Sequence, residues 1–164
     1  MKKTLTLQEQ IDRIKLLSED KQDLNENTFI DKGFMGYPID KTKIRPFLIK
    51  LKNRVGKDKY DLLISNQQKR DDNKYHITIL NHIDLKRLEK QIETPKFKTD
   101  PILVGLGVVN EGMDQSYFIL VEWEEVNNYR RWLGLEEKDL HITLGFTNKD
   151  IIGVKKDKST LINE

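Results

Sequence analysis

The chain has 164 residues, 37% hydrophobic and 34% charged, a balance that suits one soluble globular domain with its own core. A net charge of +2 does not mark the whole surface for nucleic acid, and the lack of cysteine excludes disulfides, thiolate nucleophiles and thiolate metal sites. The Met1-Lys2-Lys3 start lacks the apolar run of a secretory signal, no stretch approaches a membrane span, and the missing cysteines fit a cytoplasmic location.

Thr6 and Glu9 form a capping-box pattern ahead of Leu7, Ile11, Ile14 and Leu17, which predicts a helix over 7–19 and a polar connection over 20–28. Residues 1–28 thus read as an N-terminal helical extension of a single domain, 1–164. Phe29 to Asp40 reads as a loop or short strand in which Gly33 and Gly36 serve turns. Thr42 is placed to cap a helix over 43–55, with Ile44, Phe47, Leu48, Leu51 and Val55 as its buried stripe and Gly56 as its stop. The apolar run at 60–65 fits strand or helix, and Gln67 to Lys74 reads as a polar connection.

A strand follows at Tyr75–Leu80. Asp84 then caps a helix with Leu85, Leu88 and Ile92 on one face, closed by Pro95. Ile102–Val109 and Ser116–Trp123 make a β-hairpin about the turn at 110–114. Gly105 and Gly107 leave one face of its first strand bare, for a substrate, a packed helix or a bulge. A short helix over 124–133, stopped by Gly134, leads to a strand at 140–146, and the lysine-bearing tail from Asp150 reads as solvated. This order of elements argues for an α+β fold with a mainly antiparallel sheet.

One pattern occurs twice. His76-Ile77-Thr78-Ile79 returns as His141-Ile142-Thr143-Leu144, and these two tetrapeptides hold two of the three histidines in the chain. Residues two apart on a strand share a face, so each strand offers an imidazole beside a hydroxyl with aliphatic side chains behind. His82, outside the pattern, reads as structural. Two imidazoles facing one groove suit phosphodiester cleavage: one takes a proton from water, the other protonates the leaving oxygen, and the hydroxyls hold non-bridging oxygens as charge builds there. Rival chemistries lack their residues. The chain has no nucleophile elbow, no closely spaced metal ligands and no His-x-His-x-His run.

The paired motifs resemble those of the 2H phosphoesterase superfamily, which includes RNA-ligase-like and 2′,3′-cyclic nucleotide phosphodiesterases. The longer run Asp139-Leu140-His141-Ile142-Thr143-Leu144-Gly145-Phe146 resembles its RNA-repair-associated Swiss-army-knife branch. The resemblance implies two pseudo-symmetric lobes of antiparallel strands with outer helices and the active groove between them. It carries His76 and His141 over as catalytic residues, with acid and base unassigned, and Thr78 and Thr143 as phosphate ligands. Tyr75, Tyr37, Gln68, Arg70 and Phe146, with Trp123, are candidate substrate contacts. The expected substrates are RNA ends or small cyclic nucleotides, with no metal or other cofactor, no membrane and no obligatory protein partner. Two alternatives stay open. One is a phage-type nuclease that degrades cyclic-oligonucleotide defence signals; the other is a non-catalytic module that binds nucleotides or RNA.

Overall fold

The structure is a computed structural model that describes residues 28–89 and 91–162. The capping box at Thr6 and the helix expected over 7–19 lie outside the described residues. Six strands, β1 (Phe29–Asp31), β2 (Phe34–Ile39), β3 (Tyr75–Leu80), β4 (Ile102–Glu111), β5 (Asp114–Glu122) and β6 (Leu140–Phe146), form one sheet. Its order is β1-β2-β3-β6-β5-β4 and every pairing is antiparallel. Among the described residues four α-helices, α1 (Lys41–Val55), α2 (Lys57–Asp71), α3 (His82–Leu88) and α4 (Glu124–Trp132), complete the α+β fold. The two motif strands sit side by side at the middle, joined through the pair Ile77–Ile142. The sheet therefore has two three-stranded halves, each with a motif strand on its inner side.

The aliphatic positions of the motifs drive this arrangement. Ile77, Ile79, Ile142 and Leu144 are fully buried, in one cluster with Ile44, Leu48 and Leu51 of α1, Leu63 of α2 and Val126 of α4. Each such burial contributes roughly 1.5–3 kcal/mol. Gly145 lets α2 pass close to β6, because a Cβ there would stand 2.7 Å from the backbone of Leu63. Arg130 of α4 makes a buried 2.8 Å ion pair with Asp84 and also donates to the carbonyl of Ile79, tying α4 to the end of β3.

Several elements depart from expectation. Phe29–Ile39 is a hairpin, and Gly36 lies within β2, not at a turn: a Cβ there would meet the Phe29 and Phe34 rings at 2.8 and 3.0 Å. The cap of α1 is Asp40, whose carboxylate accepts from Thr42 N, so the helix starts two residues earlier. Residues 60–65 and most of the supposed polar connection form one helix, α2, which buries only Leu63 and Gln67. Asn81 caps α3, and Asp84 occupies the reciprocal capping-box position. Of the three readings of Gly105 and Gly107, the bulge holds, since the β4–β5 register shifts between Leu103 and Gly105, and the bare face is covered from within the chain. Leu161, Thr160 and the Phe118 ring fill that space, and Leu161 pairs with Gly107 along β4. Among the described residues, no helix is long and apolar enough to cross a membrane.

Candidate active site

The Ile77–Ile142 pair sets the register of the two motifs. One residue to either side in an antiparallel ladder, His76 comes opposite Thr143 and Thr78 opposite His141. The four polar side chains thus form a quartet on the face away from the helices, with the histidines on its diagonal. Diagonal neighbours of this kind stand ~7–8 Å apart, enough for a phosphoryl group between them.

Each histidine rests on aromatic rings that a glycine admits. The His76 ring lies 4.9 Å from Phe34 and 6.3 Å from Phe29, and both phenyls pack over Gly36. The His141 ring meets Phe118 edge-on at 5.7 Å, and Phe118 packs over Gly107. The polar surroundings differ. His141 Nδ1 is 3.0 Å from the carbonyl of Asp139 and donates to it, because a carbonyl only accepts. The other ring nitrogen, Nε2, then carries the lone pair and faces the Lys156 ammonium at 3.4 Å.

Asp150 organises the rest of this half. Its carboxylate accepts from Arg70 Nη1 at 2.7 Å, Ser116 Oγ at 2.8 Å and Thr143 Oγ1 at 3.3 Å, with Lys156 Nζ at 3.7 Å. Arg70 also pairs with Asp71 and lies over the Phe146 ring at 5.1 Å. The hydroxyl of Thr78, in contrast, makes no hydrogen bond among the described residues.

Burial holds the pKa of His141 down to about 3, assisted by Lys156 and Lys138 and opposed by the Asp139 carbonyl and Asp150. Burial also lowers His76, with Asp71 and Asp150 pulling upward and Arg70 downward. Asp150 would rise through burial, but Lys156, Arg70 and Ser116 keep it low and charged. Burial lowers Lys156 against the pull of Asp150. Burial thus favours the neutral form of both rings; Lys156 and Lys138 add to it at His141, and Asp71 and Asp150 offset part of it at His76.

Of the candidate contacts, Arg70 and Phe146 reach this cluster. Tyr75 and Tyr37 do not: they share the Ile77 face and are buried, at 4% and 6% exposure, in the core. Trp123 is buried against Tyr37 and Phe97, with its indole N–H donating to Thr99. Gln68 lies partly buried on α2 and, among the described residues, makes no side-chain hydrogen bond to the quartet. His82 is exposed at the start of α3. Asp150, Lys156, Phe118, Phe34 and Ser116 were not anticipated. Phe34 and Phe118 share strand registers with no distinguishing motif, and Lys156 sits in a lysine-rich tail that reads as solvated.

A cleft of about 370 Å³ opens beside the start of β6, lined by Trp123, Asn127, Lys138, Asp139 and Lys158 among others. It contains none of the quartet, so the quartet face, not this cleft, is the candidate site. Among the described residues, no group of three or more His, Cys, Asp or Glu is placed to hold a metal ion.

A family model described as the Swiss Army Knife 2H phosphoesterase domain matches residues 41–152, more than half of the chain. Comparison with curated proteins and with solved structures gave no match.

Proposed function

Since the chain belongs to the Swiss Army Knife 2H phosphoesterase family, and is on that ground a hydrolase of phosphodiester bonds, we propose that it opens cyclic phosphodiesters without a metal, using His141 as base and His76 as acid. The substrate is an RNA 2′,3′-cyclic phosphate or a related small cyclic nucleotide, which places the protein in RNA processing or repair in the cytoplasm. The observation that carries this reading is the β3–β6 register, which puts both imidazoles and both hydroxyls on one face.

His141 Nε2, already proton-free, takes a proton from water as the water oxygen attacks phosphorus. The bond from phosphorus to one ribose oxygen breaks on the opposite side. His76, as imidazolium, gives that oxygen a proton, and a ribose monophosphate ester leaves. Thr78 and Thr143 donate to the non-bridging oxygens as negative charge grows on them. The assignment of base and acid rests on a difference in local charge: Lys156 and Lys138 add to the burial that opposes the imidazolium of His141, whereas at His76 Asp71 and Asp150, against Arg70, offset part of it.

The test is a panel of phosphodiesters, assayed with and without chelator. Hydrolysis of 2′,3′-cyclic mononucleotides and of RNA bearing cyclic ends, unaffected by chelator, is the expected result. Faster turnover of cyclic dinucleotides would select the signal-degrading nuclease instead. Binding with no turnover of any member would select the non-catalytic module, and activity lost to chelator and restored by zinc would overturn the proposal.

A further inference from the structure

We infer that Lys156 is a working residue of this same site: it guards the Nε2 face of His141 in the free protein and moves to a non-bridging phosphate oxygen when substrate occupies the quartet face. This rests on the phosphodiesterase reading above. Lys156 lies beyond residue 152, where the family match ends, and belongs to the segment that crosses from β6 to the outer edge of β4. It is only 5% exposed, which is rare for a lysine and costly unless the ammonium is satisfied.

A plain structural ion pair does not account for that placement. Asp150 already receives Arg70, Ser116 and Thr143 at shorter range than the 3.7 Å to Lys156 Nζ. The nearest polar atom to the ammonium is instead His141 Nε2, at 3.4 Å. Asp139 holds the two partners together: its carbonyl accepts from His141 Nδ1, and its carboxylate accepts from Lys156 N at 3.2 Å. The Phe118 ring flanks both the imidazole and the ammonium.

The ammonium therefore has two loose partners and no tight one. An arriving phosphoryl oxygen offers a shorter, charge-assisted bond and frees Nε2 to receive the proton of water. The charged and titratable groups around His141 are Lys156, Lys138 and Asp150, together with the Asp139 carbonyl. Of these, Lys156 alone is within hydrogen-bond reach of Nε2.

The experiment compares the full chain with Lys156→Met and Lys156→Arg. It reads His141 titration by NMR, inorganic phosphate affinity, and kcat and KM on a 2′,3′-cyclic nucleotide. Lys156→Met is expected to move the His141 titration up towards 6.5 and weaken phosphate ~10–100-fold, the loss for one charge-assisted bond. It should lower kcat/KM to match, and Lys156→Arg should restore most of the phosphate affinity. If Lys156→Met does not fold, phosphate titration of the wild-type protein must still shift the Lys156 ζ resonance. An unmoved His141 titration with unchanged phosphate affinity, or an unmoved ζ resonance, overturns the inference. Neither NMR readout needs turnover, so a protein inactive on every phosphodiester would sink the reaction while leaving the Lys156–His141 result to stand by itself.

Discussion

The same four-residue pattern lies on β3 and on β6, yet its two copies live in different surroundings. On β3, His76 packs against two phenyl rings of the first hairpin, and Thr78 has no hydrogen-bond partner among the described residues. On β6, His141 is oriented by Asp139 and faced by Lys156, and Thr143 donates to Asp150. Sequence symmetry thus supplies two equivalent chemical groups, and the segments packed around them set one against an ammonium with its Nε2 unprotonated and the other beside Asp71, Asp150 and Arg70. A reaction that needs one base and one acid requires that difference.

The most severe way to break the comparison is to remove either ring. His76→Ala and His141→Ala should each lower kcat by ~10²–10⁴, and the double variant should lose far less than the product of the two. Steady-state kinetics of the three variants decides this; full multiplicativity would mean that the rings do not act on one phosphorus.

Next come the hydroxyls. Each Thr→Val change should cost ~10²–10³ in kcat if its hydroxyl serves the transition state. They should differ in stability. Thr143→Val removes a bond to Asp150 and should cost about 1 kcal/mol, whereas Thr78→Val, with no such bond to lose, should leave thermal unfolding unchanged.

The glycines under the aromatic rings give a smaller and more even effect. A Cβ at Gly107 would stand 2.6 Å from Phe118, and one at Gly36 2.8 Å from Phe29. Gly107→Ala and Gly36→Ala should each destabilise by ~1–3 kcal/mol, through overpacking. Gly107→Ala should also shift the His141 ring resonances, and Gly36→Ala those of His76.

The mildest test is pH. Both histidines have folded pKa values below their ordinary 6.5, so the folded state resists protons that the unfolded chain accepts. The stability they contribute is complete above 6.5 and falls as pH drops below it towards the folded values. Thermal unfolding at pH 7.5 should therefore exceed that at pH 5. His141→Gln should flatten this dependence more than His76→Gln, because burial with Lys156 and Lys138 holds His141 down to about 3, whereas Asp71 and Asp150 offset part of the burial of His76.

Much of the sheet was legible in the residues. Period-two alternation marked β3 and β6, whose polar positions share one face, and two apolar runs about the Asn110–Asp114 turn marked the β4–β5 hairpin, although β5 is buried on both faces. Helix α2 was not legible as one element. Its buried stripe is reduced to Leu63 and a glutamine, so no apolar period runs along it. Tyr37 and Tyr75 stood among the candidate contacts because a tyrosine near a motif looks the same whichever face it takes; pairing with Ile77 puts Tyr37 in the core, and Tyr75 shares Ile77's side of β3.

By itself, then, the sequence determined which groups could do chemistry and that each imidazole shares a strand face with a hydroxyl, since alternation is a local property of extended backbone. Only the tertiary structure decided that the two strands adjoin, that their halves form one sheet, and that Asp150 and Lys156 enter beside β6. Those facts depend on contacts between residues far apart in the chain. A buried lysine and a surface lysine are spelled alike until burial and a neighbouring charge distinguish them.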